Sequence, residues 1–183
     1  MDTVVRDPFY EDIPAFFGMS LKELFSVKHP TAWLDFEKGL MDEEEFAATF
    51  FEDGRDFDYE GLKDTCYAGY QWIDGMEELL QELSTDGYHL HAFSNYPLWY
   101  EMVERKLGLS RYLEWSAVSC NTHLRKPDPA SYDTAARVCG ADPHACIFVD
   151  DNEKNIIAAR EVGMMAIHFE SQVSLRERLQ AVL

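Results

Sequence analysis

The chain has 183 residues, 46% hydrophobic and 14% aromatic, with 34 acidic residues against 16 basic ones and a formal net charge of −18. That is enough apolar material for a folded core, so a disordered chain is excluded. The acidity disfavours nucleic acid and anionic membranes as partners, since both need a basic footprint. No apolar run approaches the ~20 residues of a membrane span. Cys66, Cys120, Cys139 and Cys146 are scattered without a CxxC pair. This argues against a zinc site or a disulfide framework and suits a reducing compartment. The start, Met1-Asp2-Thr3-Val4-Val5-Arg6-Asp7, has no basic or apolar leader.

Residues 1–5 read as the end of an element, because no strand precedes Thr3-Val4-Val5. From Arg6 to about Tyr70 the pattern is helical. Phe9, Ile13, Phe16 and Phe17 recur at helical spacing, and Ser20 caps a segment with Leu21, Leu24 and Phe25. Pro30 can open another helix, with Trp33 and Phe36 inward. Asp42, with Glu45 three residues on, is a capping signature ahead of Phe46 and Phe50, and Asp58 caps a segment with Leu62, Cys66 and Tyr70. The spacing predicts four or five short helices without a strand, and the aromatic side chains read mainly as packing.

After Gly75 helices alternate with short apolar runs. Helices are predicted over Met76–Leu83, Leu98–Leu107, Ala130–Val138, Lys154–Val162 and Leu175–Leu183. Strands are predicted over Tyr88–Phe93, Trp115–Ser119, Ala145–Val149 and Met164–Phe169. Such alternation implies right-handed crossovers and a parallel sheet covered on both faces. The expected fold is α/β: a Rossmann-like parallel-sheet core at 73–183, an all-helical cap at 6–72, and a remnant of a first core motif at 1–5.

Three loops after predicted strands carry polar groups. Ser94-Asn95 follows Phe93, Arg125-Lys126-Pro127-Asp128-Pro129 follows the next strand, and Asp150-Asp151, with Asn155 beyond, follows Val149. Open parallel sheets place ligands at this edge. A hydroxyl and an amide bind phosphate oxygens, a lysine neutralises them, and paired acids suit an oxygen-seeking divalent cation such as Mg²⁺. Taken singly, each motif also reads as an ordinary turn or helix cap.

Together and in this order the motifs resemble the haloacid dehalogenase-like hydrolase superfamily. Ser94 looks like its second motif, Lys126 its third, and Asp150-Asp151 its fourth, with Asn155 in the trailing position. The helical block is similar to the family's inserted cap, as in Trp33-Leu34-Asp35-Phe36-Glu37-Lys38-Gly39. The runs Asp2–Tyr10, Pro14–Met19 and Asp53–Asp58 look like plant and algal plastid members that hydrolyse flavin mononucleotide or 5-amino-6-(5-phospho-D-ribitylamino)uracil. The resemblance implies a Mg²⁺-dependent phosphatase of a small phosphorylated metabolite, working through an aspartyl-phosphate in the cytoplasm or plastid stroma. It makes Lys126, Ser94, Asn95 and Asn155 catalytic, Asp151 a direct metal ligand, and Asp150 a ligand or an acceptor behind it. Dehalogenation is disfavoured because it needs no metal.

The same resemblance exposes a gap. The family's nucleophile ends its first, central strand in the pattern Asp-x-Asp-x-Thr/Val. With Thr3 as the motif's threonine, the nucleophile falls two residues before Met1, and Met1 takes the general-acid position. The alternative takes Asp2 as nucleophile, which leaves it without a strand and puts Val4 and Arg6 at the other motif positions. The first alignment implies an incomplete reading frame, a chain without its nucleophile, and no activity as it stands. It also leaves the strands ending at Phe93 and Val149 without the partner between them. The competing reading is a degenerate, non-catalytic phosphate-binding or regulatory module.

Overall fold

Side-chain caps start three of the five helices of the first seventy residues. The computed structural model describes residues 1–183. Helices α1 (Asp12–Phe16), α2 (Leu21–Val27), α3 (Ala32–Glu37), α4 (Glu43–Thr49) and α5 (Tyr59–Gly69) form this block. Ser20 with Glu23 and Asp42 with Glu45 each close a reciprocal capping box, and Asp58 accepts from the Gly61 N–H. Each cap satisfies amides that a short helix otherwise leaves open. The block's interior is aromatic: Phe36 and Phe46 stack at 4.2 Å between ring centroids, with Trp99 edge-on to both. The predicted aromatic packing is therefore observed, and only Tyr10 and Phe25 among these rings stand half exposed.

The alternating block follows as α6 (Met76–Thr85), β1 (His91–Ser94), α7 (Tyr100–Leu107), β2 (Glu114–Val118), α8 (Ser119–Thr122), α9 (Pro129–Cys139), β3 (Ile147–Asp150), α10 (Glu153–Glu161), β4 (Met165–His168) and α11 (Gln172–Gln180). All four expected strands form, displaced by up to three residues. β1 begins at His91 instead of Tyr88, because the ladder to β2 starts only where Leu90 accepts from Glu114. β3 begins at Ile147 instead of Ala145, because Asp142 caps a 3₁₀ turn over Pro143–Ala145. The chain enters and leaves the helical block side by side: Val5 pairs with Trp72, and Arg6 donates to the Gln71 carbonyl.

β1 pairs in parallel with β2, and β3 in parallel with β4, as two separate two-stranded sheets. No backbone hydrogen bond joins β1 to β3. The core divides along the same line. One cluster joins the helical block to the β1–β2 half, while two smaller clusters cover the faces of β3–β4. Between the halves runs a largely apolar slot of about 910 Å³.

Candidate active site

The polar groups singled out in the sequence converge at the C-terminal ends of β1 and β3. β1 ends at Ser94, whose hydroxyl has no protein partner. Asn95 clamps the next loop: its Nδ2 donates to the Lys126 carbonyl at 2.9 Å, and its Oδ1 accepts from the Lys126 N–H at 2.8 Å. Asp128 caps α9 with Pro129 in its first turn, so the loop around Lys126 is held at both ends.

The Lys126 ammonium is buried. It donates to the Phe93 carbonyl at 2.7 Å and to Asp150 Oδ2 at 2.6 Å, and it lies over the rings of Phe93 and Phe148. Asp150 Oδ1 accepts from the Asn152 N–H at 2.9 Å and from Asn155 Nδ2 at 2.8 Å. Burial alone would raise the Asp150 pKa, but the Lys126 charge and these donors outweigh it and hold the carboxyl below its ordinary value. Asn155 reaches Asp150 because Asn152 caps α10 and places it in the first turn; Tyr132 donates to its carbonyl at 2.9 Å.

Asp151 is different. It is exposed, its Oδ1 accepts from the Thr3 hydroxyl at 3.0 Å, and its carbonyl accepts from His168 Nε2 at 2.8 Å. Mg²⁺ commonly takes only one or two carboxylates from a protein and fills its shell with water and phosphate oxygens. Asp151 fits that requirement. Asp150 has both oxygens engaged, so its chemistry is that of an orienting group. No cluster of three or more His, Cys, Asp or Glu side chains forms a cage made of protein alone.

Sequence reasoning missed two features. Asp7 sits near Asp2 and Asp151, and burial raises its carboxyl to about 6 despite the Phe9 N–H bond. Asp2 accepts from the Asp7 N–H at 2.8 Å with its backbone in the left-handed region, φ 52°. Tyr10, raised first by burial and then by Asp7, Asp2, Asp151 and Glu37, stands among the same carboxylates. The second feature is the seam between the blocks. Glu37, almost fully buried at the end of α3, pairs with Arg125 beside Lys126. The Lys38 carbonyl lies 2.7 Å from His123 Nδ1. A Cβ at Gly39 would meet the Cys120 carbonyl oxygen at 2.3 Å, so the chains touch backbone to backbone there. These partners lie more than eighty residues apart in sequence, and no local pattern announces them.

A family description, haloacid dehalogenase-like hydrolase, matches residues 22–163. The flavin mononucleotide hydrolase 1 of Arabidopsis thaliana, a chloroplast protein by name, is 54% identical over 98% of this chain and 73% of its own length. A sesquiterpene phosphatase of Aspergillus oryzae is 25% identical over 85% of this chain and 81% of its own. A magnesium complex of a Bacteroides thetaiotaomicron enzyme of the same family superposes with a TM-score of 0.80, at 18% identity, over 97% of this chain and 93% of that one.

Proposed function

The chain belongs to the haloacid dehalogenase-like hydrolases, and on that premise we propose that its site is that of a Mg²⁺-dependent phosphatase of a small phosphorylated metabolite. Flavin mononucleotide, or a phosphorylated intermediate of riboflavin synthesis, is the favoured substrate, and an aspartyl-phosphate is the intermediate. The observation that carries this reading is the buried Lys126–Asp150 pair, with Asp151 open beside it. The similarity to a flavin mononucleotide hydrolase over nearly the whole chain supports the substrate class.

In this scheme Asp151 would hold the metal, which would supply charge to offset the phosphoryl oxygens. Lys126 would share that task, and its place is fixed by Phe93, Asp150 and the Asn95 clamp. The Ser94 hydroxyl and nearby backbone bind the transferring group. Asp150 and Asn155 orient the edge on which Asp151 stands. Phe9 and Phe36 are committed to packing, so the exposed ring of Tyr10 and the partly buried ring of Trp33 are the side chains left to face a flat flavin. With a net charge of −18, phosphate is repelled at long range, and binding relies on Lys126, Arg125 and the metal.

None of residues 1–183 takes the part of the nucleophilic aspartate in this scheme, so these residues by themselves are expected to be inactive. Purified residues 1–183 are expected to bind flavin mononucleotide more tightly with Mg²⁺ than without it. They are expected to release no phosphate from it or from p-nitrophenyl phosphate. Mg²⁺-dependent turnover that Asp151→Ala abolishes would overturn the placement of the nucleophile. Binding unaffected by both Mg²⁺ and Lys126→Ala would overturn the site itself. The competing reading, a non-catalytic phosphate-binding module, shares the binding result. It fails if a longer chain, carrying an apolar strand that ends in aspartate ahead of Met1, turns over.

A further inference from the structure

We infer that, with the site read as that of a phosphatase, Arg125 is its specificity-determining residue and takes the hydroxyl groups of a polyol chain next to the substrate's phosphate. Arg125 precedes Lys126, and Asn95 holds the peptide between them by accepting from the Lys126 N–H. The two side chains then part. Lys126 turns inward to Asp150, whereas Arg125 crosses to the helical block and meets Glu37 at the end of α3. The Glu37 side chain is only 4% exposed, and its carbonyl accepts from the Ser119 hydroxyl, so this anchor is fixed at both its backbone and its carboxylate. An arginine that serves only as an ion-pair partner commonly gives a carboxylate two parallel N–H bonds. Here Glu37 takes the Arg125 Nε alone. The two terminal nitrogens bond no protein atom, and the side chain stays 37% exposed. A guanidinium pinned through Nε presents those nitrogens as a rigid fork.

The surroundings place the fork along the substrate. Trp33 lies one turn before Glu37 on the same face of α3. Its ring meets Tyr96, just past Ser94-Asn95, at 6.2 Å and Phe9 at 4.8 Å, and Phe9 meets Tyr10 at 5.4 Å. This face of α3 therefore lies against the loops that carry Ser94 and Lys126. Lys126 marks the phosphate end, and the rings of Trp33 and Tyr10 mark the other. Arg125 is bonded to the first through the backbone and to the second through Glu37 and one helix turn. Charge balance selects what it reads. Glu37 already offsets the Arg125 charge, as Asp150 offsets that of Lys126, and the chain as a whole carries −18. A second anionic group would find no unbalanced cation here. Hydroxyl oxygens need only donors, and two neighbouring ones match a fork.

The test is calorimetric binding to the full 183-residue protein in Mg²⁺, with ribitol 5-phosphate, n-pentyl phosphate and inorganic phosphate as ligands. The first two share the phosphate and the carbon chain and differ in the hydroxyls. Wild type is expected to bind ribitol 5-phosphate about tenfold more tightly than pentyl phosphate, the worth of one hydrogen bond to a charged donor. Arg125→Lys keeps the charge and loses the fork, so that ratio should fall close to one. Any share of Arg125 in holding the phosphate weakens all the ligands alike, so the ratio isolates the contact beyond it. Glu37→Gln keeps an acceptor for Nε and should keep most of the ratio, whereas Glu37→Leu should lose it. Equal ratios in these two would remove Glu37 as the positioning residue. A wild-type ratio near one overturns the proposal on the unmodified protein, whether or not any variant folds. So does a preference that survives in Arg125→Lys. Phosphate bound without a polyol preference sinks the role of Arg125 alone; no Mg²⁺-dependent binding of any of the ligands sinks the phosphatase reading and this role with it.

Discussion

Lys126 Nζ lies 2.6 Å from Asp150 Oδ2, and both side chains are more than nine-tenths buried. One charge comes from the loop after α8 and the other from the end of β3, so the pair joins segments that no shared backbone ladder connects. Lys126 also holds the Phe93 carbonyl of β1. A single ammonium thus ties the two halves of the sheet together at the edge where the candidate site lies.

Removing one partner of a buried ion pair leaves a bare charge and costs about 3–5 kcal/mol. Lys126→Met is expected to destabilise the protein by that amount, and Asp150→Asn by somewhat less, since asparagine can still bond Lys126 and the Asn152 N–H. The double variant should recover a substantial part of the summed loss, because neither charge remains. Urea unfolding curves of the four proteins give the coupling directly. Simple additivity would show that the pair contributes nothing as a pair.

Asn95 acts on Lys126 through the backbone. Two hydrogen bonds at about 1 kcal/mol each make Asn95→Leu about 2 kcal/mol destabilising. Asn95→Asp keeps the acceptor for the Lys126 N–H but sets a carboxylate against the Lys126 carbonyl, so it should do no better. Both variants should also weaken Mg²⁺-dependent binding of flavin mononucleotide, read by flavin fluorescence. Wild-type stability in Asn95→Leu would remove the clamp from the account.

Ser94 and Asp150-Asp151 were legible in the sequence because each follows an apolar run, and Lys126 because its Pro-rich loop comes after the next strand; parallel strands bring such ends to one edge. Helix starts at Ser20, Asp42 and Asp58 were legible for a local reason: the cap and its amide partner are three residues apart. The clamp by Asn95 was not legible, because its partner lies 31 residues away in sequence. Nor was the burial of Glu37 against Arg125, 88 residues on. The burial of Asp7 near Asp2 and Asp151 was not legible either, because it depends on how the chain start packs against the end of β3. Short-range chemistry writes caps and strand ends into a sequence; pairings across the fold leave no local mark.

The Asp7 carboxyl predicts a pH dependence whose sign is fixed by its upward shift. Burial raises it from 3.8 to about 6, against the Phe9 N–H and the N-terminal ammonium, with Asp2 and Asp151 adding to the rise. Below about pH 4 it is protonated in both states and contributes nothing. Between about pH 4 and 6 the unfolded chain sheds this proton and the folded chain keeps it, so stability falls as pH rises. The full loss, reached above about pH 6, is at most ~3 kcal/mol. Asp7→Asn removes this slope. Its stability relative to wild type, from urea curves without divalent cation, should therefore be more favourable at pH 7 than at pH 4. A difference independent of pH would mean that Asp7 is not held protonated.

Asp150 and Asp151 are adjacent in sequence and opposite in setting, and the contrast can be measured. Asp150 is 4% exposed with both oxygens bonded, whereas Asp151 is exposed and holds only the Thr3 hydroxyl through its side chain. Asp151→Asn should change stability in metal-free buffer by no more than about 0.5 kcal/mol, as an exposed substitution does. Ligand linkage raises the melting temperature, with the logarithm of the ratio of free metal to its dissociation constant. Wild type should therefore melt higher in millimolar Mg²⁺ with phosphate, and Asp151→Asn should lose that increment. Asp150→Asn should show the reverse: a lower melting temperature without metal, but an increment that survives in part. If the increment disappears in Asp150→Asn and persists in Asp151→Asn, the ligand and the orienting group have been assigned the wrong way round.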